Sequence, residues 1–322
     1  MKNKTVDVII PAYRPDERFN SLIEKLSQQT LLPQRILVMN TERSLWEQAP
    51  VCRAAFEAGH TAGGVPLTLV HLPQAEFDHG GTRDRAAAMS QADVLLFMTQ
   101  DAVPADEYLI ERLTAQLGEN AGGEVAAAYA RQLPAKDCSL LERCTRSFNY
   151  GEKSRVKSIG DLPELGIKTY FCSNVCAAYV RSVYEKLGGF EKQTIFNEDM
   201  IFAAKLIKAG YRIAYAADAQ VVHSHNYSGK EQFKRNFDLA VSQAEHPEIF
   251  AEVPSEKEGI RLVKSTAAFL CRRGRIDLLP KLVWQSGCKY LGYFFGRRYR
   301  VLPKRVVLAC SMNRKYWKNK VF

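Results

Sequence analysis

Nowhere does the 322-residue chain hold the roughly 18 consecutive uncharged apolar residues that a membrane-spanning helix requires. The opening run MKNKTVDVIIPAYRP reaches proline and charge after a short apolar patch, too brief for the core of a signal peptide. These two absences predict a chain that stays on the cytoplasmic side. Eight cysteines are scattered without a C-x-x-C pair, and no His or second Cys pair joins Cys172 and Cys176 in a zinc-like set. A chain this long needs no disulfide staples, so reduced and mostly buried thiols are expected. Internal repeats and low-complexity runs are missing too. With 46% hydrophobic and 25% charged residues, a disordered, collagen-like or coiled-coil chain is excluded.

Acidic residues all but vanish toward the C-terminus. Residues 1–260 carry 29 Lys and Arg against 34 Asp and Glu, whereas residues 261–322 carry 16 against the single Asp277. The formal charge of +10 is thus the property of one segment. The change of sign near Pro254 to Glu258 predicts a boundary, with residues 1–255 as one domain and 256–322 as a basic, aromatic-rich helical appendage.

What the first 130 residues do have is the rhythm of a parallel sheet. Apolar runs at Val6 to Ile10, Arg35 to Met39, Leu67 to His71 and Val94 to Met98 alternate with amphipathic segments. One of these, Glu17 to Gln29, places Phe19, Leu22, Ile23 and Leu26 at helical spacing. The pattern predicts an α/β fold with a doubly wound, mostly parallel sheet flanked by helices, in which ligands gather at the carboxyl ends of the strands. The residues at those ends are Pro11-Ala12-Tyr13, Asn40-Thr41, Phe77 to Arg83, and Thr99-Gln100-Asp101. Farther on, a strand is predicted from Val125 to Ala130, helices from Ser139 to Tyr150 and Met200 to Ala209, and strands from Arg212 to Tyr215 and Gln220 to His223.

Four constellations carry chemistry, each beside a plainer alternative. Asp101 ends a buried strand, where a carboxylate holds a hard divalent cation or caps the helix that starts near Asp106. Asp199 follows Asn197-Glu198 at a helix start, where the dipole favours an ionised carboxylate; it serves as a general base or merely decorates the first turn. His223 and His225 end a strand and point the same way only while that strand persists. They complete a cation's shell, or sit as satisfied edge histidines. The run FDHGGTRD, 77–84, reads as a glycine-containing phosphate loop with Arg83 adding charge, or as a tight turn.

Taken together and in this order, the segments resemble glycosyltransferase family 2, whose members have the GT-A fold and use nucleotide-sugar donors. The resemblance spans about residues 5–245 and rests on Pro11-Ala12-Tyr13, Asp101, Leu187-Gly188-Gly189-Phe190 and Glu198-Asp199. More narrowly, FDHGGTRD (77–84), FMTQDAVPAD (97–106), FNED (196–199) and HSHNYS (223–228) are similar to the bacterial rhamnosyltransferase branch. Three departures from the wider family stand out. Thr99-Gln100-Asp101 replaces D-x-D, Asn40-Thr41 replaces Asp-Asp, and Asp84-Arg85 stand where Asn and a small or apolar residue are usual.

The resemblance implies a nucleotide across the strand ends, contacted by Pro11, Ala12 and Tyr13 near the pyrimidine and by Asn40 or Thr41 near base or ribose. It implies Mg²⁺ or Mn²⁺ held by Asp101 with His223 or His225. Asp199 is the implied base, Arg83 the diphosphate contact, Ser173 and Asn174 the neighbours of the donor sugar, and Gln100 and Glu198 further members of the donor site. The implied reaction is an inverting transfer of L-rhamnose from dTDP-L-rhamnose to a lipid-linked saccharide. Alternatives are another donor such as a UDP-hexose, or a non-catalytic protein with a basic tail. The ten aromatics of residues 261–322, among them Trp284, Tyr290, Phe294 and Phe322, predict contact with an anionic leaflet at the inner face of the cell membrane rather than with nucleic acid.

Overall fold

A computed structural model describes residues 4–253 and 256–320. The charge boundary at 255 therefore falls on residues 254 and 255, which lie outside the described residues, as does Phe322. The chain forms two compact units that interleave in sequence. The first comprises Met1–Ala135, Tyr150–Lys192 and Glu198–His223, and the second Lys136–Asn149, Gln193–Asn197 and Ser224–Phe322.

The first unit is built on a nine-stranded sheet. Its strands are β1 (Val6–Tyr13), β2 (Arg35–Thr41), β3 (Leu67–Leu72), β4 (Val94–Met98), β5 (Val103–Pro104), β6 (Val125–Leu133), β7 (Arg155–Lys157), β8 (Cys176–Val180) and β9 (Arg212–Val222). The order is β3-β2-β1-β4-β8-β6-β9-β5, with β7 also pairing β9. β3, β2, β1 and β4 pair in parallel, as their near-continuous apolar runs require of strands covered on both faces. Antiparallel pairings enter with β8, β5 and β7, so the sheet as a whole is mixed. The helix Glu17–Leu26 starts at Asp16, whose carboxylate accepts the Arg18 amide, and buries Phe19, Leu22, Ile23 and Leu26 as their spacing predicts. The expected strands at Arg212 and Gln220 are one strand, β9, which ends at Val222; His223 and His225 both lie beyond it.

Two features of FDHGGTRD take a different role from a phosphate loop. The helix begins at His79, and the Gly81 amide is already accepted by Asp78 Oδ1 at 2.6 Å. A Cβ on Gly80 would lie 1.9 Å from the Glu191 carbonyl oxygen, so glycine is there to let two backbones touch. Asp84 finds its reason in the same region. Its Oδ1 accepts the Tyr184 hydroxyl at 2.7 Å, which ties this helix to Arg181–Lys186.

The second unit is helical, with main helices Leu140–Asn149, Gly229–Glu245, Glu256–Arg272, Leu279–Gly296 and Lys304–Cys310. Ser228 and Glu231 form a capping box that fixes the start of Gly229–Glu245. That helix packs on Leu279–Gly296 at Gly292, where a Cβ would lie 2.1 Å from the Phe233 carbonyl oxygen. One apolar cluster joins Phe237 and Val241 to Tyr299, Val307 and Trp317; another joins Leu141, Leu270 and Leu282. No helix among the described residues is long and apolar enough to cross a membrane.

Candidate active site

Parallel register brings the first group together. Ala12 pairs with Asn40 and Tyr13 with Thr41 across β1 and β2, and Asn40 pairs with His71 across β2 and β3. Pro11 and Ala12 are the strand residues leading to Tyr13, whose ring is 41% exposed under the Arg14 guanidinium. Gln100 Oε1 accepts the Tyr13 amide at 2.7 Å and Gln100 Nε2 donates to the Tyr13 carbonyl at 3.0 Å. Asn40 is buried and donates through Nδ2 to His71 Nδ1 at 2.9 Å. His71 is held below the usual histidine range by burial and by the Arg43 charge, so it accepts that bond as a neutral ring. The Asn40 Oδ1 and the Thr41 hydroxyl are buried without a hydrogen-bond partner among the described residues.

Asp101 follows β4 in the turn closed by the Ala102 amide on the Thr99 carbonyl. Its Oδ2 lies 3.5 Å from His223 Nε2. The other ring nitrogen of His223, Nδ1, is 3.0 Å from Gln132 Oε1, which only accepts; Nδ1 therefore carries the proton. In the neutral ring this leaves Nε2 as the nitrogen that faces Asp101, the tautomer a metal ligand needs, held by a neighbour behind it. An oxygen and a nitrogen at this spacing fit a divalent cation between them, and the mixed set suits Mn²⁺ better than Mg²⁺, which prefers all-oxygen shells. His225 stands two residues farther along, in the second unit. Gln132 also donates through Nε2 to the Ser173 hydroxyl at 3.1 Å, linking Ser173 to the same network.

The third group gathers at the start of helix Glu198–Lys208. The buried Glu198 faces Arg83 at 3.2 Å, with side-chain exposures of 9% and 7%. Burial pushes the Glu198 pKa up, but the Arg83 and His79 charges outweigh it and hold the group ionised below its usual range. Asp199 is driven the other way. Burial and the adjacent Glu198 charge raise it, against the Asn174 and Met200 amides that its two oxygens accept at 3.1 and 2.8 Å. Two neighbouring carboxylates thus divide into one held charged and one poised to take a proton. Asn174 is placed by the Tyr179 hydroxyl, which donates to Asn174 Oδ1 at 2.9 Å. Arg83, an expected diphosphate contact, is the buried partner of Glu198.

Sequence reasoning passed over His71, Gln132 and Tyr179. His71 carried a usable signal, because it closes an apolar run in parallel with Asn40. Gln132 carried none, since it acts through a partner 91 residues away, and Tyr179, five residues from Asn174, sits inside an apolar strand that reads as core.

Residues 7–188 match the family Glycosyl transferase family 2. Over 316 residues the chain is 38% identical to the O-antigen chain rhamnosyltransferase RfbN of Salmonella typhimurium, covering 98% of this chain and 96% of that one. It is 36% identical to the O-antigen chain rhamnosyltransferase WbaN of Salmonella anatum, covering 97% and 95%. Among solved structures, the mannosyltransferase PcManGT from Pyrobaculum calidifontis, in complex with GDP-Man and Mn²⁺, has a TM-score of 0.57 at 16% identity, covering 98% of this chain and 88% of that one. At that identity the likeness bears on the fold alone. With the family matched over more than half of the chain, this protein belongs to glycosyl transferase family 2 and is a glycosyltransferase of GT-A-like fold.

Proposed function

We propose that the enzyme transfers L-rhamnose from dTDP-L-rhamnose to a saccharide carried on a lipid, inverting the anomeric carbon. The observation that carries the sugar assignment is the 38% identity, across 98% of the chain, with an O-antigen chain rhamnosyltransferase. In this reading the pyrimidine lies by Tyr13 at the end of the Pro11-Ala12-Tyr13 strand tip, and base or ribose lies by Asn40 and Thr41. Gln100 serves by holding Tyr13. Asp101 and His223 offer a carboxylate oxygen and an imidazole nitrogen to Mn²⁺ or Mg²⁺, and His225 is the further ligand that the resemblance implies. Such a cation, when bound, supplies counter-charge to the departing diphosphate. Asp199 accepts the proton of the acceptor hydroxyl as that oxygen attacks the anomeric carbon, a task suited to a carboxylate with a raised pKa. Glu198 and Arg83 set its electrostatic surroundings, and Ser173 and Asn174 border the donor sugar.

The basic appendage, in the same proposal, works on an anionic membrane surface at the inner face of the cell membrane. Val283, Trp284, Tyr290, Leu291 and Phe294 are exposed along one face of Leu279–Gly296, and Trp284 keeps 68% of its surface. Arg297 and Arg298 continue from its end. Rings of this kind insert at headgroup depth, and each nearby Lys or Arg adds about 1 kcal/mol at a charged leaflet.

The test is a nucleotide thermal-shift panel beside a transfer assay that follows release of dTDP from dTDP-rhamnose. dTDP is expected to raise the midpoint and UDP to leave it unchanged. Stabilisation by UDP alone assigns another donor, and stabilisation by no nucleotide removes the catalytic reading.

A further inference from the structure

Within the second unit lies a small hollow, open to solvent, with a cavity volume of about 60 Å³. Three helices line it. Glu142 comes from Leu140–Asn149, Gln232 from Gly229–Glu245, and Lys281, Gln285 and Lys289 from one face of Leu279–Gly296, at spacings of four. The charges do not cancel. Buried Glu142 is neutralised by Arg146, whose Nε donates to its Oε1 at 2.7 Å. Lys289 is partly buried and makes no hydrogen bond or ion pair among the described residues, and Lys281 at the rim makes none either. Burial holds the Lys289 ammonium below the usual lysine range, the Glu142 charge pulling the other way while Arg235 and Arg146 add to the depression. Gln232 is only 8% exposed, yet its carboxamide also lacks a partner among the described residues. With no protein partner among the described residues, the Gln232 amide and the Lys289 ammonium are left to a ligand that enters from the open side of the hollow.

We propose that this hollow binds the phosphoryl group, phosphate or diphosphate, through which the acceptor saccharide is joined to its lipid. The inference rests on the reading of the acceptor as lipid-linked and adds the site that grips it. A neutral sugar hydroxyl would satisfy Gln232 but leave two lysine charges without a counter-ion. A diphosphate bridge, with a charge of about −2, answers both lysines and accepts from the Gln232 amide, whereas a single phosphodiester, with a charge of about −1, answers one of them. At about 60 Å³ the hollow is far smaller than the roughly 300–1,000 Å³ that small-ligand sites span, which excludes an oligosaccharide and leaves room for a phosphoryl linkage at most. The same helix that brings Lys281, Gln285 and Lys289 into the hollow exposes Val283, Trp284 and Leu291 elsewhere on its surface, so one element offers both a polar grip and an apolar face to a lipid phosphate.

The experiment titrates inorganic pyrophosphate into the full chain, alone and with saturating dTDP, for wild type, Lys289→Gln and Lys281→Gln. Wild type is expected to keep one pyrophosphate site that dTDP does not remove. Lys289→Gln should weaken it about tenfold or more, and Lys281→Gln, an exposed position that leaves the fold alone, by several-fold. Equal pyrophosphate affinity in all three proteins overturns the proposal. Displacement of pyrophosphate by phosphatidylglycerol vesicles assigns the hollow to bilayer headgroups and also overturns it. Failure of dTDP to bind counts against the donor reading instead, because the difference between wild type and variants is read in its absence too.

Discussion

Gln100 grips the main chain of Tyr13 with both ends of its carboxamide, at 2.7 and 3.0 Å. The last β4 partner of β1 is Phe97, opposite Ile9, so this side chain stands in for a strand that has already ended. Gln100→Ala removes both bonds, each worth about 1 kcal/mol, and frees the segment that presents the exposed Tyr13 ring. We expect dTDP affinity to fall several-fold with turnover at saturating donor little changed, as calorimetry and steady-state kinetics would show. Undiminished dTDP affinity would refute the role given to Gln100.

Asp199 has its pKa raised by burial and by Glu198, and a base works only when deprotonated. Turnover should therefore fall as pH drops through a value above the ordinary carboxylate range. Glu198→Gln removes one of the raising causes and should move that limb to lower pH. Asp199→Asn should keep dTDP binding while cutting turnover by a factor on the order of 10² or more. If Glu198→Gln proves the more damaging to turnover, the base has been misassigned.

The Arg83–Glu198 pair is buried on both sides, whereas Arg85–Glu76 pairs at 3.3 Å with both side chains more than half exposed. Removing one member of the buried pair strands a charge and should cost about 3–5 kcal/mol, against at most about 1 kcal/mol for the surface pair. Urea unfolding of Arg83→Leu and Arg85→Leu compares them directly. Similar midpoints for the two variants would contradict the burial argument.

The cation proposed at Asp101 and His223 predicts that activity is sensitive to chelation. Asp101→Asn should abolish most transfer and most metal-dependent nucleotide affinity. Gln132→Leu leaves both ligands in place but releases the His223 ring, and should weaken Mn²⁺ activation by roughly 10–100-fold. Full transfer in excess EDTA would remove the cation from the mechanism.

Membrane attachment is best tested by point substitution. A chain ending near Glu258 would strip Tyr299, Val307 and Trp317 from Phe237 and Val241, confusing lipid contact with misfolding. Trp284→Ser with Leu291→Ser, both at exposed positions, should abolish co-sedimentation with anionic vesicles and leave dTDP binding intact. Binding of wild type should weaken with salt. Equal sedimentation of wild type and double variant, or binding that ignores lipid charge, defeats the idea.

The sequence by itself determined the parallel half of the sheet and the strand-end positions of Tyr13, Asn40 and Asp101. Burial on both faces demands near-continuous apolar runs, and the carboxyl ends of such strands are where ligands of α/β sheets gather. It also placed Glu198 and Asp199 in a helix's first turn, because an acid pair ahead of an apolar-periodic stretch is a local signal. The tertiary structure alone decided which of those residues work together. Gln132 orients His223 across 91 positions, Arg83 charges Glu198 across 115, and Lys136–Asn149 joins the C-terminal helices instead of its chain neighbours. Such pairings depend on register and packing between distant elements. A side chain's chemistry says what bond it can make, and only the fold says with whom.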